Sequence, residues 1–128
     1  MNLLLDTHIL LWAAIDNLPQ SAAKYVEDTN NTLFFSSASI WETIIKKGLG
    51  QIGFDIDPFA LYSGLLDAGY KELTITSRHI LAMSVLPNLH KDPFDRLLIA
   101  QAASESMPLL TADKLLAQYP GPIILTDR

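Results

Sequence analysis

Four carboxylates, Asp6, Glu42, Asp95 and Asp113, lie far apart in the chain, and three of them occupy comparable places in its pattern. Asp6 ends the apolar run Leu3-Leu4-Leu5, Asp113 follows Leu109-Leu110-Thr111, and Asp95 falls in the first turn of a helix opened by Asp92-Pro93. Glu42 differs, because it lies inside a helix. Carboxylates that converge cannot all stay ionised without cations, since like charges at close range raise one another's pKa. The chain has no cysteine, and oxygen-only ligands suit Mg²⁺ or Mn²⁺, ions that retain water and coordinate phosphate oxygens. Two such ions can activate a water and stabilise a leaving oxygen in phosphodiester hydrolysis. The chemistry open to this set is that of a nuclease.

Taken singly, each acid has a plainer reading. Asp6 alone reads as the cap of the helix behind it. At 100° per residue, Ile40, Trp41, Ile44 and Ile45 form one stripe, expected to face the core. Glu42 falls just past its edge, beside Ala38 and Leu49, where it could reach over the sheet or pair with Lys46 one turn on. Asp92, Pro93 and Asp95 match a capping arrangement, which makes Asp92 a cap before a ligand. Asp95 could be the reciprocal acid of that arrangement or point toward a metal. Asp113 could cap a short helix, with the Thr111 hydroxyl beside it.

Other residues carry less. His8, His79 and His90 lack metal-ligand spacing, and His90 reads as a loop or capping residue. No serine is paired locally with a base, and no G-x-x-x-x-G-K-[ST] phosphate loop occurs. Trp12 and Trp41 fall at helical core spacing.

The elements that must position the acids follow from periodicity. Leu3-Leu4-Leu5 does not alternate and reads as a strand buried on both faces, as in the centre of a parallel sheet. Further strands are expected at 33–35, 71–76, 109–111 and 123–125, with a possible short one at 52–54. Helices are expected at 7–15, 20–28, 36–47, 58–68, 77–85, 92–106 and 113–117, with Gly48, Gly50 and Gly69 as stops. Such alternation implies βαβ crossovers and a mostly parallel sheet covered by helices on both faces. In open α/β sheets ligands bind outside the carboxyl ends of the strands, which is where Asp6 and Asp113 fall.

The totals fit one ordered domain spanning 1–128, with 49% apolar and 18% charged residues. A net charge of −5 argues against a basic nucleic-acid surface, yet two bound divalent ions would bring it to −1. Charge therefore leaves the partner open. No leader is visible and no apolar run approaches the ~18 residues of a membrane span, so a soluble, cytoplasmic protein is expected.

With these residues in hand, the chain resembles the PIN-domain ribonucleases, specifically the VapC toxins of type II toxin–antitoxin (VapBC) pairs. The resemblance runs through Leu3-Leu4-Leu5-Asp6-Thr7-His8, Ser39-Ile40-Trp41-Glu42, His90-Lys91-Asp92-Pro93-Phe94-Asp95-Arg96 and Leu110-Thr111-Ala112-Asp113. Each segment is short, and the four together in this order are specific. The resemblance implies an α/β/α sandwich on a five-stranded parallel sheet. It makes Asp6, Glu42, Asp95 and Asp113 the metal-holding and catalytic quartet, with Thr111 beside Asp113 and Asp92 behind the ligands. It further implies Mg²⁺- or Mn²⁺-dependent cleavage of RNA leaving a 5′-phosphate, a homodimer, and silencing by a cognate VapB-like antitoxin.

Three alternatives stand beside this. A non-catalytic PIN scaffold would serve only as a binding module, which an intact quartet disfavours. A haloacid-dehalogenase-like phosphohydrolase needs a second Asp two residues after the first, where this chain has His8. A receiver-like signalling domain wants adjacent acids after its first strand, and Asp6 stands single.

Overall fold

The computed structural model describes residues 1–127. Five strands, β1 (Asn2–Leu5), β2 (Thr32–Ser36), β3 (Lys71–Leu73), β4 (Leu109–Thr111) and β5 (Ile123–Leu125), form one sheet in the order β3-β2-β1-β4-β5. Every pairing is parallel, so the expected mostly parallel sheet is parallel throughout. Six helices cover it: α1 (Thr7–Ala14), α2 (Gln20–Val26), α3 (Ser37–Gly48), α4 (Pro58–Asp67), α5 (Ser77–Ser84) and α6 (Pro93–Ser104). None is long and apolar enough to cross a membrane.

The leucine run explains the layering. Leu3, Leu4 and Leu5 are all fully buried, but successive side chains of a strand point to opposite faces. Leu3 and Leu5 join Ile9, Leu10, Leu61, Leu65 and Leu110 in one core. Leu4 joins Leu97, Leu98, Ile99 and Leu109 in a second core on the other face. β1 is thus the central strand, with α1 and α4 on one side and α6 on the other. Strand order reverses at β1, between β2 on one flank and β4 on the other. In doubly wound sheets that switch point opens a crevice at the carboxyl ends, and it places Asp6 next to the end of β4.

The structure corrects the sequence-based expectation in four places. Most of the apolar stripe of α3 faces outward: Ile40 packs against the first core, but Trp41, Ile44 and Ile45 are 53%, 52% and 42% exposed, whereas Ala38, Ser39, Glu42 and Thr43 are buried. A tertiary hydrogen bond accompanies the inversion: Ser39 Oγ lies 2.8 Å from Thr7 Oγ1. Within the helix Thr43 Oγ1 donates to Ser39 O at 2.8 Å, so the inward face is polar yet largely satisfied. Trp41, expected in the core, rests edge-on against Phe94 at 4.8 Å, whereas Trp12, half-buried, does pack against the first core. Residues 52–54 form no strand; Gly50 and Gly53 turn the backbone with φ of 70° and 94°, burying Phe54 and leaving Ile52 outside. Strand β3 stops at Leu73, because its partner strand ends at Ser36, the residue paired with it. Residues 113–117 form no α-helix, only a turn running into a 3₁₀ segment at Leu116–Gln118.

The inverted helix makes a test of packing. Ile44→Ser should change the free energy of urea unfolding by less than about 1 kcal/mol, as for an exposed position. Leu98→Ala, in the second core, should cost about 3 kcal/mol. Equal losses would mean that the α3 stripe is buried.

Candidate metal centre

Asp6 occupies the N-cap position of α1 but makes no cap hydrogen bond with its side chain. Its Oδ2 instead accepts from Thr111 Oγ1 at 2.7 Å. The direction of that bond is determined, because the Asp113 N–H donates to Thr111 Oγ1 at 3.1 Å and leaves the hydroxyl proton for Asp6. Thr111 is fully buried at the end of β4. Asp6 Oδ1 is buried with no hydrogen-bond partner. Burial lifts the Asp6 pKa against the Thr111 bond and nearby His8, with Glu42 and Asp113 adding repulsion.

Glu42 is 1% exposed and also holds an orphan oxygen, Oε1. Its Oε2 accepts from Lys46 Nζ at 2.5 Å. The expected i,i+4 pair is therefore present, but buried. The same ammonium donates to Asp92 Oδ2 at 2.7 Å. Burial works against the Lys46 charge, yet its bonds to Asp92 and Glu42 outweigh that and raise its pKa. Asp92 is the cap the sequence suggested: Oδ1 accepts from Phe94 N at 2.8 Å and Asp95 N at 3.2 Å. Burial opposes its charge, but Lys46 and those backbone donors hold its carboxyl below the ordinary range.

Asp95 is pushed up to about 8, first by burial and then by the charges of Asp6, Asp92 and Glu42, against Lys46. Its Oδ2 lies 3.1 Å from His90 Nε2, which is also 3.7 Å from Asp113 Oδ2. His90 Nδ1 accepts from the Asp92 N–H at 3.1 Å, so the proton of the neutral ring sits on Nε2, aimed at the acids. The more exposed Asp113 accepts from Leu115 N through Oδ1 at 2.9 Å. A cleft of about 130 Å³ lined by Asp6, His8, Trp12, Ala112 and Asp113 opens beside it.

Among the described residues two trios offer ligand atoms all within 4.8 Å of one another: His90, Asp95 and Asp113, and Glu42, Asp92 and Asp95. They share Asp95. Asp6 is in neither trio as the side chains stand, but it lies close enough to exchange repulsion with Glu42, Asp113 and Asp95. The sequence reading missed two members, His90 and Lys46. A signal existed for each: His90 stands two residues before the capping Asp92, and Lys46 one helical turn after Glu42.

The residues fit a cation. Two buried carboxylate oxygens lack partners, buried polar groups are ordinarily satisfied, and two carboxyl groups are held above their usual pKa. A divalent ion would relieve both, so the cluster can bind a metal.

The sequence matches the PIN domain family over residues 3–122, and no curated protein matches it. Solved structures share the fold over essentially full length. VapBC2 from Rickettsia felis, bound to a DNA fragment from its promoter, is 20% identical, with a TM-score of 0.73 over 100% of this chain and 99% of that one. DNA-bound VapBC from Salmonella typhimurium is 14% identical, with a TM-score of 0.69 over 99% and 98%. VapBC-1 from nontypeable Haemophilus influenzae is 21% identical, with a TM-score of 0.65 over 99% and 98%.

Proposed function

The chain belongs to the PIN domain family, and from that premise we propose that it is a metal-dependent endoribonuclease, the toxin of a VapBC-type pair, silenced by a cognate antitoxin. The observation that carries this reading is the pair of orphaned buried oxygens, Asp6 Oδ1 and Glu42 Oε1, in a cysteine-free cluster. Asp6, Glu42, Asp95 and Asp113 are the residues that would hold Mg²⁺ or Mn²⁺, hard ions suited to such ligands. When bound, the ion supplies an activated water and stabilises the leaving oxygen of a phosphodiester.

The chain's own residues do the rest. Thr111 spends its only proton on Asp6 Oδ2 and so leaves Oδ1 for a ligand role. His90 orients Asp95 through Nε2. Asp92 is occupied by its cap and by Lys46, which keeps it behind the ligands. Asp95 must shed its proton on loading, because only the carboxylate coordinates.

The partner reading has its own support. The outward stripe of α3 continues into a groove of about 250 Å³ lined by Ile40, Ile44, Pro58, Phe59 and Tyr62, a surface for the apolar face of an antitoxin segment. An acidic centre also attracts an Arg from such a segment, by bidentate pairing. The VapC-like reading extends to a homodimer acting in the cytoplasm.

Purified protein, free of antitoxin, should cleave single-stranded RNA with Mg²⁺ or Mn²⁺, leave 5′-phosphates, and stop when chelator is added. Cleavage that persists in excess chelator would overturn the metal reading. Failure to cut any of a broad panel of RNAs would favour a PIN-fold binding module.

A further inference from the structure

Of the two trios that could hold a cation, one already contains a positive charge. Lys46 Nζ bonds both Glu42 Oε2 and Asp92 Oδ2, and its side chain is only 12% exposed. The ammonium also lies 5.3 Å from the ring centroid of Phe54 and 5.7 Å from that of Phe94, within the range of cation–π attraction. Glu42 lies one turn away on the same helix, and Asp92 is fixed by the backbone N–H groups it caps. The ammonium is therefore held from four sides. Among the described residues no Lys or Arg forms an ion pair with Asp95 or Asp113, whose close partner is His90, and Glu42 keeps its other oxygen, Oε1, without a partner.

We propose that the Lys46 ammonium permanently takes the cation position between Glu42 and Asp92, so that the centre admits one divalent ion per chain rather than two. This rests on the metal-centre reading above. A second ion would have to expel a tethered charge from its two carboxylates. It would also have to shed water to reach a partly buried site, which Mg²⁺ does reluctantly. Lys46 is in this sense a positioning residue: it shares its single charge between Glu42 Oε2 and Asp92 Oδ2 and confines the metal to Asp6, Asp95, Asp113 and the unpartnered Glu42 Oε1.

The test counts ions directly, without reference to cleavage. Mn²⁺ is titrated into the purified full chain, and unbound Mn²⁺ is followed by its electron paramagnetic resonance signal. Wild type should bind one Mn²⁺ per chain. Lys46→Met, similar in length but uncharged, should bind two, and Lys46→Arg, which keeps the charge, should bind one. Two ions in wild type would overturn the proposal, as would one ion in a Lys46→Met chain that circular dichroism shows to be folded. Should Lys46→Met not fold, the counts for wild type and Lys46→Arg decide alone: one ion in each supports the proposal and two in either refutes it. No binding by wild type at millimolar Mn²⁺ would instead overturn the metal centre itself, and this inference with it.

Discussion

Asp6→Asn is expected to reduce RNA cleavage by more than about 100-fold, the upper end of what losing a partner behind a metal ligand costs, while the fold stays intact. The substitution keeps side-chain size, and the amide oxygen can still accept the Thr111 hydroxyl. It removes the charge from a buried position where the carboxyl is held above its ordinary pKa, so metal-free stability near neutral pH should hold or rise slightly. Asp95→Asn should impair cleavage as strongly. Asp92→Asn should be milder, because Asn caps about as well as Asp and Asp92 already serves Lys46 and the cap. The measurements are single-turnover cleavage and thermal melts of the same preparations. Wild-type activity in both Asp6→Asn and Asp95→Asn would remove the catalytic assignment.

The second large effect is a dependence of stability on pH that a metal should abolish. Asp95 moves from 3.8 to about 8 on folding, so the folded protein binds that proton more tightly than the unfolded chain. Its contribution is fully present below about pH 4 and is lost as pH rises through about 8. A shift of that size corresponds to on the order of 5 kcal/mol, and Asp6 acts in the same direction. Asp92, with its lowered pKa, acts the other way: its contribution is present at neutral pH and lost in acid. In chelator the melting temperature should therefore fall by at least about 10 °C between pH 5 and pH 8.5. Asp95→Asn should flatten that fall, and Mn²⁺ should cancel it, since metal affinity rises as the proton leaves. A metal-free melting temperature that is level across this range would show that Asp95 ionises normally.

Local patterns determined much of this. Three unbroken leucines require a strand covered on both faces, because every side chain must leave water. An acid closing such a strand then falls at the carboxyl edge of the sheet, as Asp6 does. Asp92-Pro93 announced its own cap through the fixed φ of proline and the missing N–H. Helix and strand order followed from periodicity, since side-chain spacing on each element is a property of its backbone alone.

What periodicity cannot specify is which face of a helix turns inward. Helix α3 carries an apolar and a polar face, and the sequence favoured burying the first. The tertiary structure buries the second, where Ser39 finds Thr7 and Lys46, paired with Glu42, finds Asp92, and it leaves Trp41, Ile44 and Ile45 outside. The same holds for the cluster around Asp95. His90 and Lys46 look like loop and surface residues in the chain, and become part of the site only when α3 and the start of α6 meet above β1. Asp113 could have capped a helix; the turn that forms instead lets it face His90. Elements come from short-range geometry, whereas the meeting of charges in the site, the Lys46 ammonium among them, comes from contacts between residues up to 105 positions apart.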